Sequence, residues 1–165
     1  MNTGKALPRI TILGVGNILL SDEGVGVRVV EFLNAHYSFP DHVLLVDGGV
    51  LGMQLMGLIG ESDVLIVIDA VMNGNAPGTT CRLEAGQIPR RVLAKQSMHQ
   101  MDLPEVLALC GTLDHNPETI VIGVEPQDIC TMGLELTPII AASVGDLANM
   151  VLAELERLGI EVAPK

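Results

Sequence analysis

Short unbroken aliphatic runs alternate along this chain with longer segments whose apolar residues recur every three or four positions. Ile10-Thr11-Ile12-Leu13 reads as a buried strand, and Val25, Val29, Phe32 and Leu33 then fall on one face of a helix. His42 to Val46 reads as a second strand ending at Asp47-Gly48-Gly49. An amphipathic segment follows, with Leu51, Leu55, Leu58 and Ile59 at helical spacing and Gly60 as its stop. Val64 to Ile68 is the clearest strand and ends at Asp69-Ala70. Turn signals fill Val71 to Gly78, Thr79 to Leu83 reads as an edge strand, and Glu84 to Met101 as a loop. Asp102 has the character of an N-cap, with Glu105 in capping-box spacing and Gly111 ending that helix. Thr119 to Val124 is another strand, closed by Glu125-Pro126. A last helix starts near Pro138, with Ile140, Val144, Leu147, Val151 and Leu158 on one stripe.

Continuous aliphatic strands suit a parallel sheet covered on both faces. Strands alternating with helices predict an α/β fold: an open, twisted, mainly parallel sheet with helices on both faces and right-handed crossovers. The 165 residues show no repeat and no low-complexity linker, so one domain spanning 1–165 is expected. A composition 48% hydrophobic but only 2% aromatic makes the core aliphatic.

A net charge of −11 argues against nucleic acid and anionic membranes, both of which are bound through lysine and arginine. The three cysteines, Cys81, Cys110 and Cys130, are odd in number and lack C-x-x-C spacing, which argues against a disulfide framework or a thiolate zinc site. Met1 to Arg9 has no apolar signal-peptide region, and other apolar runs are too short or too glycine-broken to span a bilayer. A cytoplasmic protein, monomeric, is the expectation.

The chemistry concentrates in Gly14-Val15-Gly16-Asn17-Ile18-Leu19-Leu20-Ser21-Asp22-Glu23-Gly24-Val25-Gly26, between the first strand and the first helix. A dinucleotide fingerprint needs G-x-G-x-x-G, and Leu19 stands where the third glycine belongs. Asp22 and Glu23 add negative charge where a phosphate needs bare N–H groups, so a cation suits the loop better. Their purely structural role would be a cap from Asp22 and a dipole contribution from Glu23.

Ligands of open α/β sheets sit at the carboxyl ends of strands. Gly16-Asn17 follows the first strand, Asp47 ends the second and Asp69 the third, and Glu23 can reach the same rim. Asp47 before two glycines also fits a simple turn. Asp69 is harder to explain that way, because a carboxylate against five aliphatic residues is costly unless something binds it. His36, His42 and His115 read as surface groups, whereas His99 lies in an irregular segment before the capped helix. Glu23, Asp69 and His99 together make a mixed oxygen and nitrogen set suited to a borderline divalent metal such as nickel or zinc. No G-x-S-x-G is present, and nothing near Cys130 activates a thiolate.

The same glycine loop, followed by Asp47-Gly48-Gly49, Asp69-Ala70, His99-Gln100, Gly123-Val124-Glu125-Pro126 and Leu136-Thr137-Pro138, resembles the hydrogenase maturation proteases over nearly the whole chain. The resemblance implies a twisted α/β sheet between helices. It also implies a nickel-dependent endopeptidase that removes a C-terminal extension from the precursor of the [NiFe]-hydrogenase large subunit after nickel insertion. The family's metal-contacting residues map onto Glu23, Asp69 and His99, and the aspartate of its D-G-G segment onto Asp47. Nickel would be supplied by or shared with the substrate, as a recognition handle. Asp47 and Asp69 are the candidates for a catalytic carboxylate of aspartyl-protease type. Two other classes fit the loop: a nucleotide-binding module and a non-catalytic metal-binding chaperone.

Overall fold

Four of the strands expected from the aliphatic runs lie side by side and parallel. The computed structural model describes residues 6–49, 55–87, 108, 111 and 115–165. Strand β1 is Ile10–Val15, followed by a 3-10 turn at Ser21–Gly24 and helix α1 at Val25–His36. A two-residue strand β2, Tyr37–Ser38, precedes β3 at Val43–Gly49. Helix α2 is Met56–Gly60, β4 is Val64–Ala70 and β5 is Thr80–Glu84. Strand β6, Glu118–Val124, leads to helix α3 at Pro138–Arg157 and to β7 at Ala163–Pro164, which pairs antiparallel with β2.

The main sheet has the order β3-β1-β4-β6-β5. Strands β3, β1, β4 and β6 are parallel, and β5 closes one edge antiparallel to β6. The sheet is thus open and mostly parallel, as the alternation of elements predicts. Strands β3 and β4 run through Asp47 and Asp69, so both aspartates sit at strand ends, as expected.

The apolar periodicity becomes two layers of core. On one face, Val25, Val29 and Leu33 of α1 and Ile140, Leu147, Val151 and Leu155 of α3 cover Ile12, Ile66 and Ile122. On the other, Ile59 of α2 packs with Leu13, Leu65, Val67 and Val121. All seven residues of β4 are buried, so this strand accepts covering on both faces, and each large aliphatic side chain there contributes about 1.5–3 kcal/mol. Helix α3 has the length and apolar content to cross a membrane, which the expectation of short apolar runs did not allow for. Its apolar stripe instead faces α1 and the sheet.

Ala108 and Gly111 are helical, in keeping with the helix expected before β6, while the cap at Asp102 lies outside the described residues. Three of the histidine readings are also testable. His36 is exposed, stacks on Phe32 and hydrogen-bonds the Phe32 carbonyl at 2.8 Å. His42 and His115 are only partly exposed, contrary to a surface assignment. The Nε2 atom of His115 pairs with the Ser62 carbonyl at 2.7 Å, and that of His42 is buried without a partner among the described residues.

Candidate active site

The site grows from a close approach of backbone to backbone. A Cβ on Gly26 would lie 2.1 Å from the Ile68 carbonyl oxygen and 2.5 Å from that of Val15. Bare glycine therefore lets the first turn of α1 rest directly on the ends of β1 and β4. Gly14 meets Gly26 from the other side, where a Cβ would stand 2.3 Å from the Gly26 oxygen. Gly16 has φ +130, and a Cβ there would stand 1.7 Å from the Glu23 oxygen, so the loop folds back on itself at the residue that carries the carboxylate. What these glycines supply is a set of contacts only hydrogen atoms allow.

That folding brings Glu23 close enough for its charge to act on Asp69. Asp69 is 1% exposed at the end of β4. One of its oxygens, Oδ1, accepts the Ala70 N–H at 2.8 Å, while Oδ2 is buried with no partner among the described residues. The Oε2 atom of Glu23 is buried and unpartnered as well. Burial pushes the Asp69 carboxyl well above the usual carboxylate range. The Ala70 N–H opposes that shift, and the charge of Glu23 adds to it. Burial also raises Glu23. Buried carboxylate oxygens almost always have donors, so two such orphans mark a place built for a positive or protic ligand.

Asp47 is placed differently. It is exposed, and its Oδ1 accepts the Gly49 N–H at 2.9 Å in a turn with Gly49 at φ +45. Gly14 of β1 pairs with Asp47 on one side and Ile68 on the other, so Asp47 stands one level short of Asp69 with a strand between them. Register slips after that level, where Val15 pairs with Gly49 and skips Gly48. The Gly16 N–H then donates to the Gly49 oxygen at 3.0 Å, tying the D-G-G segment to the glycine loop. His99 lies outside the described residues. Among the described residues, no three histidine, cysteine, aspartate or glutamate side chains cluster with metal-binding geometry.

These features match known proteins closely. A family model described as HycI, hydrogenase maturation protease, matches residues 27–154. The chain belongs to the hydrogenase maturation protease family. It is 41% identical to the hydrogenase 2 maturation protease of Escherichia coli strain K12 over 159 residues, covering 95% of this chain and 96% of that one. It is also 41% identical to the hydrogenase expression/formation protein HupD of Thiocapsa roseopersicina over 155 residues, covering 93% and 70%. Among solved structures, the hydrogenase maturating endopeptidase HybD from Escherichia coli superposes with a TM-score of 0.87 at 40% identity, over 95% of this chain and 98% of that one.

In this family member, the loop's other carboxylate has a role that sequence reasoning missed. Asp22 does not cap α1, whose N-cap is Gly24 without any side-chain bond. It is fully buried, and its oxygens accept the Gln127 and Asp128 N–H groups at 2.9 Å and the Thr137 N–H at 2.7 Å, with the Thr137 hydroxyl within 3.0 Å. Glu125, 8% exposed, likewise accepts the Asn73 N–H at 2.7 Å and holds the loop after β4. Both sets of partners are distant in sequence, up to 115 residues for Asp22. No local pattern announces them.

Proposed function

We propose that the protein is an endopeptidase that removes a C-terminal extension from the precursor of a [NiFe]-hydrogenase large subunit. The observation that carries this reading is the pair of buried oxygens without a partner among the described residues, Asp69 Oδ2 and Glu23 Oε2, at the carboxyl ends of a parallel sheet. Family membership supplies the reaction class, and the names of the relatives supply the hydrogenase. The donor set fits nickel carried by the substrate, with Glu23 contacting it from the glycine loop, Asp69 from the end of β4 and His99 completing the set. Such a cation would offset the burial that raises both carboxyls. In this reading nickel is a recognition handle, and only a loaded precursor is cut.

Hydrolysis also needs a group to take a proton from water. Asp69 is one candidate, since its Oδ2 is buried at the site with no hydrogen-bond partner among the described residues. Asp47 is the second candidate, at the exposed rim of the same sheet. The test is mass spectrometry of the precursor after incubation with wild type and with E23A, D69A or H99A. Loss of the peptide's mass with wild type and its retention with the variants is expected. Normal processing by all three variants would refute the site. Efficient cleavage of a nickel-free precursor would refute the handle.

A further inference from the structure

We infer that Asp22 and Thr137 form a positioning clamp that holds Glu23 against Asp69 and so sets the rate of cleavage; this rests on the function proposed above. Residues on both sides of Glu23 are fixed by something other than the sheet. On the N-terminal side, the Ser21 N–H donates to the Gly133 oxygen at 2.9 Å and its hydroxyl to the Glu135 oxygen at 3.0 Å. Ser21 itself takes φ +51, a left-handed conformation that a serine adopts only under constraint. The Asp22 N–H donates to the Asp128 oxygen at 3.0 Å, and the Asp22 carboxylate receives the donors of Gln127, Asp128 and Thr137. On the other side, a Cβ on Gly24 would stand 2.8 Å from Ile18 Cα, so the chain leaving Glu23 has no lateral play.

A buried carboxylate with three backbone N–H donors and a hydroxyl is well compensated, and a rigid tie of this kind holds its neighbour in one rotamer range. Thr137 immediately precedes α3 and Gln127 follows β6, so the tie fixes the Glu23 turn to two elements that do not carry the site. Among the described residues, Glu23 Oε2 has no hydrogen-bond partner to hold it. Its position is therefore inherited from residue 22. An error of about 1 Å in such a group costs on the order of a hundredfold in rate.

The experiment measures steady-state cleavage of a nickel-loaded large-subunit precursor, together with thermal unfolding, for wild type, E23Q, D22N, T137V and T137S. T137V deletes one donor while keeping the backbone N–H, and T137S keeps the hydroxyl. The expected result is a kcat about tenfold lower in T137V and about a hundredfold lower in D22N, with KM within about twofold. T137S recovers most of the loss. A T137V protein that loses only melting temperature, or raises KM with kcat intact, overturns the clamp as a positioning device. Should D22N fail to fold, the T137V and T137S pair decides alone. Normal cleavage by E23Q refutes the site and takes the clamp with it, whereas an E23Q defect beside an unaffected T137V sinks only the clamp.

Discussion

Replacing Gly26 with alanine asks how much of the site depends on one missing methyl group. The added Cβ would lie 2.1 Å from the Ile68 oxygen, 2.5 Å from the Val15 oxygen and 2.7 Å from the Val15 nitrogen. The worst contact is about 1.3 Å short of ordinary van der Waals distance, and all three atoms are backbone of buried strands, so no side chain can rotate away. Overpacking of this kind costs about 1–3 kcal/mol, and a rigid backbone wall puts Gly26→Ala at or above the top of that range. Alanine returns at most about 1 kcal/mol of helix propensity. The net loss of about 2–3 kcal/mol corresponds to a melting temperature lower by roughly 5–10 °C in a chain of this size. The only relief is for α1 to lift off the ends of β1 and β4, which carries Glu23 away from Asp69 and lowers precursor cleavage about a hundredfold. Gly145→Ala is the control: it lies inside α3 with nothing within 4 Å of its added Cβ, and should raise stability by about 0.5–1 kcal/mol. Calorimetry and a cleavage assay on the two variants give the answer. A Gly26→Ala protein that melts and cleaves like wild type would refute the claim that backbone contact positions the site.

Asp69→Asn should stabilise the fold at neutral pH. A raised carboxyl opposes folding once pH passes the ordinary aspartate value of 3.8, so the variant's advantage grows with pH and disappears in acid. Urea unfolding at pH 3.5 and pH 7.5 checks the sign. Glu154, 8% exposed between Arg82 and Arg157 and held below the usual range by Arg82, should behave in the opposite sense. Glu154→Gln loses about 1–3 kcal/mol at neutral pH, with the difference fading as pH falls below the ordinary glutamate value of 4.5. Asp47→Ala removes an exposed turn bond and should cost under about 1 kcal/mol in chemical denaturation, so a large cleavage defect in a stable variant would mark Asp47 as catalytic.

The layered fold was legible because its signals are local. Val64 to Ile68 is aliphatic without interruption, and Val25, Val29 and Leu33 repeat at helical spacing, so periodicity alone places strand and helix. Asp69 was legible too, since a carboxylate ending an aliphatic run has few harmless explanations. The grouping of Glu23 with Asp69 was legible from the strand-end rule, and the parallel pairing of β1 with β4 is what brings their ends together. Asp22 was misread for a physical reason: at the start of a helix an aspartate has a familiar local use, and nothing nearby shows that its donors come from residues 127, 128 and 137. His42 illustrates the same limit, since a histidine beside an edge strand looks exposed although its Nε2 is buried.

The central place of β1 has a consequence for the order in which the molecule can be made. It is the earliest strand of the described residues, yet it is hydrogen-bonded to β3 on one side and to β4 on the other. A chain emerging from the ribosome can join β1, α1 and β3 as a local unit, but the second edge of β1 stays bare until residues 64–70 have been synthesised. Because Asp69 arrives with that strand, the nascent chain closes the second edge of β1 and acquires its carboxylate pair in the same event, and the outer edge of β4 waits for β6. A half-made chain therefore carries an aggregation-prone edge but no active site, and completion removes the one while creating the other.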